Sequence, residues 1–346
     1  MRRRIVGAGF ALAVVVFTAA PAWACGGLVN PNGTVSLLRT STLVSYRWGV
    51  EHYITSFKFA GGGAEFGSIV PLPGIPTKVA RGGDWTLQRL TREVAPPVRD
   101  ALGPTSAPVP APSPAEVILE TEIDSLKITI LRGGGQAVGR WAKNNGFALT
   151  PDAPEVLDFY AERSPIFMAA RFDPKDARES GKNVGDGVPI HLRIPTDEPW
   201  VPLRILGLGL PDDGTIAADV FLLTRTQPAL LPLPAPKGST TGVVLERSEP
   251  ASDALLADLQ SDKGMRWMPG HNMWFSYLRI DTDADDLTFD LATNIHGGAP
   301  SPVDAGLERP PVETSSVPSP GWSWLAASFV GTSALALADR TLLNRR

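Results

Sequence analysis

The chain has 346 residues, 43% of them hydrophobic, a formal net charge of −4 and a single cysteine. That length suits one large domain or two modest ones, and one cysteine excludes an intrachain disulfide. Without the two ends discussed below, 26 basic face 35 acidic residues. That balance argues for no nucleic-acid partner, because such affinity rests largely on Lys and Arg against phosphates. It also argues against docking on anionic lipid through a basic face.

Arg2, Arg3 and Arg4 precede an uncharged apolar run from Ile5 to Ala20, and Ala22-Trp23-Ala24 follows as a small-x-small site. This pattern predicts a signal peptide over residues 1–24, cleaved between Ala24 and Cys25. A lipoprotein signal wants a Leu-like residue and then a small one in the positions held here by Ala22 and Trp23. Cys25 is therefore expected as the plain first residue of the mature chain.

Residues 25–95 predict a β-rich first subdomain. Thr34 to Arg47 is rich in β-branched residues, and "GVEHYITSFKF" alternates, with Tyr53, Phe57 and Phe59 on one parity. Trp48-Gly49 between them predicts a hairpin turn. "AEFGSIVPLPGIP" predicts a strand stopped by prolines, which cannot donate ladder bonds. "DWTLQRLTREV" predicts a helix with Asp84 as its N-cap. Residues 96–115 form a Pro/Ala/Ser-rich linker or loop biased to extended geometry.

Residues 116–296 predict an α+β second subdomain. "EVILETEIDSLKITILR" is a strand pair. "GQAVGRWAKNNG" is a helix with an Asn-Gly stop, and "APEVLDFYAERS" a helix with Pro154 in its first turn. "IFMAARF", "PIHLRIP", "WVPLRILGL" and "ADVFLLTRT" are four strands in a row. "SDALLADLQ" is a helix capped by Ser252, and "WFSYLRI" with "DLTFDLA" predicts a closing hairpin. Strand runs with interspersed helices favour α+β over a parallel βαβ sheet. The fold class expected is thus α+β: β-rich, mostly antiparallel sheets with a few short helices.

Residues 297–321 are a Pro/Ser/Gly-rich stalk. Trp322 to Ala338 is free of charge and, at about 1.5 Å per residue, nearly spans a ~30 Å hydrocarbon core. Trp322 and Trp324 at one end, and Arg340, Arg345 and Arg346 at the other, suit a C-terminal transmembrane helix with residues 339–346 as a short basic cytoplasmic tail. The expectation is an exported, single-pass cell-membrane protein with its body on the extracytoplasmic side.

The sequence contains no H-E-x-x-H, G-x-S-x-G or phosphate-loop motif. His52, His191, His271 and His296 lie far apart, and His52 and His191 fall in predicted strands, where a solvent-facing or structural role is expected. Asp281, Asp283 and Asp285 start like a calcium loop, but Asp286 and Ala292 stand where Gly and Glu are needed. No catalytic residue, cofactor or metal is assigned. "RWMPGHNMWF" (266–275) gathers two Trp, two Met, a His and an Asn, so Trp267 and Trp274 are the candidate contacts for a partner or sugar, against the alternative that they fill a core.

Ala24-Cys25-Gly26-Gly27 after a signal peptide, "FGSIVPLPGIP", "RWAKNNGF", "PEVLDFY", "IFMAARF" and the Pro202–Ile205 stretch recur in this order in a bacterial family. On these motifs residues 24–292 resemble the domain-of-unknown-function family 2330. The chain lacks that family's second cysteine, and has Gly67-Ser68 where members tend to carry a Trp. The family has no established activity, so the resemblance implies export, membrane association and one compound domain, but no site residues. The function expected is a binding or structural module of the cell envelope, with an envelope protein or polysaccharide as partner. The alternatives are an envelope hydrolase whose residues converge only in space, and a sugar-binding surface built on tryptophans.

Overall fold

The computed structural model describes residues 28–29, 36–63, 66–94, 104–106, 115–173 and 187–311. The predicted leader with Ala24 and Cys25, most of the 96–115 linker, the end of the stalk, the 322–338 segment and the tail lie outside the described residues. Among the described residues no helix is long and apolar enough to cross a membrane.

Alternating sequence in the first segment makes a long hairpin of β2 (Ser36–Arg47) and β3 (Val50–Gly63). The predicted turn is there: Trp48 and Gly49 both take positive φ, 56° and 69°, the mirror-image turn that matches strand twist. This hairpin is central to an eight-stranded sheet with β5 (Lys78–Arg81), β6 (Pro104–Ser106), β10 (Ile190–Pro195), β12 (Thr215–Thr224), β14 (Gly242–Pro250) and β15 (Trp274–Asp283). Its order is β14-β15-β12-β2-β3-β10-β5, with β6 also on β3. The β12–β2 and β3–β6 pairs are parallel and the others antiparallel.

A five-stranded antiparallel sheet joins β1 (Leu28–Val29), β4 (Phe66–Pro71), β9 (Ile166–Phe172), β8 (Leu126–Arg132) and β7 (Glu116–Ile123), in that order. A small sheet joins β11 (Trp200–Val201), β16 (Leu291–Asn294) and β13 (Ala229–Leu231). The architecture is β-rich and mostly antiparallel, with short helices α1 (Thr86–Val94), α2 (Gly135–Asn144), α3 (Ala153–Ala161) and α4 (Asp253–Ser261).

One core cluster joins Val44 and Tyr53 of the large sheet to Ile69, Val70, Ile128 and Met168 of the five-stranded sheet and to Val138, Leu157 and Tyr160 of α2 and α3. A second lies on the other face of the large sheet. There Leu43, Ile54 and Phe221 pack on α1, α4 and the loop after α4, whose Met265, Met268 and Met273 are buried. Unbranched methionine suits such an irregular gap. Phe147, just after α2, lies against Gly67 on β4, where a Cβ would come within 2.1 Å of its ring. The helix motif and the strand motif of the family pattern therefore meet at a position that only glycine allows.

Three local expectations are corrected. "WVPLRILGL" is a strand only at Trp200–Val201; Arg204–Gly207 forms a 3-10 turn, because Asp290 accepts from the backbone N–H of Leu203 (2.7 Å) and Arg204 (3.1 Å). "WFSYLRI" and "DLTFDLA" do not pair as a hairpin: β15 lies between β12 and β14, and β16 between β11 and β13. Asp84 does not cap α1; it pairs with Arg81 at 2.8 Å.

The cap comes instead from Asp262, just past α4. Its carboxylate accepts from the N–H groups of Asp84, Trp85 and Thr86 at 2.8–3.1 Å and from the Thr86 hydroxyl at 2.7 Å. Burial pushes this carboxyl up, but the backbone donors and the Thr86 hydroxyl outweigh it, and Asp262 titrates below the usual range. Asp262→Ala is expected to cost about 1–2 kcal/mol, read as a lower urea midpoint. A depressed carboxylate stabilises above its unfolded pKa and is lost as pH falls through the folded one, so the deficit should shrink in acid.

Candidate functional site

The face of the large sheet that carries the second core cluster continues past it toward β5. Antiparallel register sets Lys78 of β5 directly opposite Arg193 of β10, and Arg193 opposite His52 of β3. His191 lies two residues before Arg193 on the same face, because side chains alternate along a strand. Lys78 and Arg193 are exposed, and among the described residues neither has an ion-pair partner. Like charges directly opposite each other on neighbouring strands destabilise a sheet. In a body with an acidic excess, an uncompensated Lys–Arg pair is the arrangement that an incoming anion would offset.

The two histidines are brought together from 139 residues apart: His52 Nδ1 and His191 Nε2 are 2.9 Å from each other, so one ring N–H donates to the other ring's lone pair. Their rings stack 5.2 Å apart. Trp267 lies over His52 at 3.7 Å and 8° and 4.9 Å from His191. Burial first, and then the charges of Arg193 and Lys78, together lower His52 to about 4. Burial, followed by His52, Lys78 and Arg193, likewise lowers His191 to about 3 in total. Both rings are neutral at pH 7, and an anion beside the two cations would make protonating them easier.

Of the candidate aromatic contacts, Trp267 belongs to this cluster. It is half-buried, His52 takes one of its ring faces, and its Nε1–H is buried without an acceptor among the described residues. Trp274 stands apart at the start of β15, half-buried, donating to Ser248 Oγ at 3.0 Å. His271 and His296 are exposed and outside the cluster. Asp281 and Asp283 lie on β15, where Asp281 pairs with Arg279 at 3.3 Å, and Asp285 follows in the turn. No group of three or more His, Cys, Asp or Glu placed to hold a metal occurs among the described residues.

Sequence reasoning missed Lys78 and Arg193, because strand register, not spacing along the chain, places them together. It also missed Glu51. That side chain is fully buried, opposite Tyr46 and Ile194, with neither carboxyl oxygen hydrogen-bonded among the described residues. A signal was present: Glu51 shares the odd parity of Tyr53 and Phe57, the face that buries them.

The family described as "Uncharacterized protein conserved in bacteria (DUF2330)" matches residues 19–226. The chain belongs to that family. Among solved structures, baculovirus P35 aligns with 75% of this chain and 97% of its own at 12% identity and a TM-score of 0.39. A mutated baculovirus P35 after caspase cleavage aligns with 74% and 98% at 8% identity and a TM-score of 0.35. Likenesses this slight carry no conclusion about fold or function.

Proposed function

We propose that the protein is an exported, single-pass, membrane-anchored module of the bacterial cell envelope. In this reading it binds an anionic group, carboxylate or phosphate, of an envelope component through Lys78, Arg193 and the His52–His191 pair under Trp267. One observation carries the binding reading: two cations directly opposite each other, with no carboxylate partner among the described residues. Arg193 would grip the anion bidentately and Lys78 as a point charge. Export and anchoring rest on the leader and the apolar C-terminal segment of the sequence. Protease treatment of intact cells should release the body; a protected body would refute the orientation.

Titration of the purified protein with inorganic phosphate and with an oligogalacturonide, against a neutral cello-oligosaccharide, tests the site. The anions should bind and perturb Trp267 fluorescence, and the neutral sugar should not. Lys78→Gln and Arg193→Gln should each weaken binding at least about tenfold, since a charge-assisted hydrogen bond contributes about 1.5–3 kcal/mol. Affinity for the oligogalacturonide should rise as pH falls toward about 4, because the occupied site takes up a proton on the histidine pair more readily than the empty one. Equal binding of neutral and anionic sugars would overturn the assignment.

A further inference from the structure

The five-stranded sheet ends at β7, and among the described residues no strand pairs with its outer edge. Among the described residues its outward N–H and C=O groups therefore pair with no strand, the arrangement to which another chain can add. Val117 and Leu119 on it are 42% and 39% exposed. A groove of about 410 Å³ runs beside it. Its floor is laid out by register in two rows across the strands, Glu122–Lys127–Arg171 and Glu120–Thr129–Ala169. Trp141, Asn145 and Phe147, from α2 and the turn after it, form the wall. Glu120 and Glu122 are exposed and make no ion pair among the described residues.

We propose that β7 and this groove dock an extended segment of a partner protein by strand addition, the segment carrying lysine or arginine at alternate positions. Edge addition supplies backbone hydrogen bonds, and pockets for alternate side chains supply specificity. Glu120 and Glu122 are two residues apart, so they face one side of the sheet about 7 Å apart. Two basic residues at i and i+2 of an added strand match that spacing, and they would meet the glutamates from the open side of β7, while Lys127 faces Glu122 from the inner strand β8. Charge also selects against a second copy of this chain: two antiparallel β7 edges paired about Thr121 would set Glu120 of each copy opposite Glu122 of the other. The site is independent of the anion site, so either can fail alone.

The test is isothermal titration of the purified full-length protein with a blocked heptapeptide alternating lysine with threonine and valine. Two control peptides carry glutamate for lysine, or proline at the central position. The lysine peptide should bind, more weakly as salt is raised. Glu120→Gln with Glu122→Gln should weaken it at least tenfold, with an unchanged thermal melt showing that the exposed changes leave the fold intact. The central proline, which removes a ladder donor, should abolish binding. No binding of the lysine peptide up to about 1 mM, the weak limit near −4 kcal/mol, would overturn the proposal. So would equal binding of the glutamate or proline peptide, or dimerisation of the protein alone through β7.

Discussion

Replacing Asp290 with alanine is expected to cost about 3–5 kcal/mol of stability, the usual penalty for removing one partner of a buried ion pair, and to lower the melting temperature by roughly 10 °C for a body of this size. Asp290 is fully buried, and its Oδ2 accepts from Arg163 Nη2 at 2.5 Å, with the Arg163 side chain only 3% exposed. Its Oδ1 accepts from the Tyr160 hydroxyl at 2.7 Å as well as from the start of the 3-10 turn. The guanidinium lies over the rings of Phe159, Tyr160 and Trp200 at 4.3–5.0 Å. Alanine would leave this cation desolvated and three donors without an acceptor. Asp290→Leu combined with Arg163→Met should recover the part of the loss that comes from the unpaired cation, since exchanging a buried ion pair for apolar groups is near neutral, but not the part that comes from the three orphaned donors. A double variant no more stable than Asp290→Ala would show that the ring stack and the Asp304 contact, rather than the ion pair, hold this region. The motif stretches "PEVLDFY" and Pro202–Ile205 meet at this carboxylate, which gives both a structural role.

Glu51→Leu is expected to do the opposite and stabilise the fold at neutral pH by about 1–3 kcal/mol, the cost of a buried polar group without a hydrogen bond. Burial raises the Glu51 carboxyl well above its ordinary value. The folded state therefore keeps a proton that the unfolded chain gives up near pH 4.3, and stability from this residue falls as pH rises from there toward the raised folded value. The two histidines have the opposite sign. Their lowered values favour the folded state at neutral pH, and that gain is lost as pH falls from about 6.5 toward about 4 and 3. Glu51→Gln should remove the first slope, so stability should rise more with pH between 4 and 7 than it does in the parent. Urea midpoints across that range decide it: an unstable Glu51→Leu variant would mean that the carboxyl has a bound partner.

Local chemistry was legible wherever the chain contacts itself at short range. The Trp48-Gly49 turn, the Asn145-Gly146 stop, with Gly146 at φ 83°, and the Ser252 cap, which accepts from Leu255 N at 3.2 Å, all follow from side chain and φ preference within a few residues. Sheet membership did not follow. β9, β10, β11 and β12 are consecutive, yet they enter three different sheets, because a period of two encodes a face and not a partner. The same gap hid the cap of α1, whose carboxylate comes from 176 residues away, and the facing of Lys78 and Arg193. Trp267 could be singled out from its loop's composition. The basic pair beside it becomes visible only once β5, β3 and β10 are aligned.

The Arg163–Asp290 clasp also holds the chain beyond β16. Arg163 Nη1 donates to the Asp304 carbonyl at 2.7 Å, Asp290 N–H donates to the Ala305 carbonyl at 2.9 Å, and Ala305 is fully buried. A pull applied from the C-terminal side therefore enters the body through α3 and the middle of the core, not through a strand end that could peel away. Any tether attached beyond Arg309 would transmit force to the hub that also seats Tyr160 and the 3-10 turn. Weakening Arg163 should lower the rupture force under axial load more than it lowers the melting temperature.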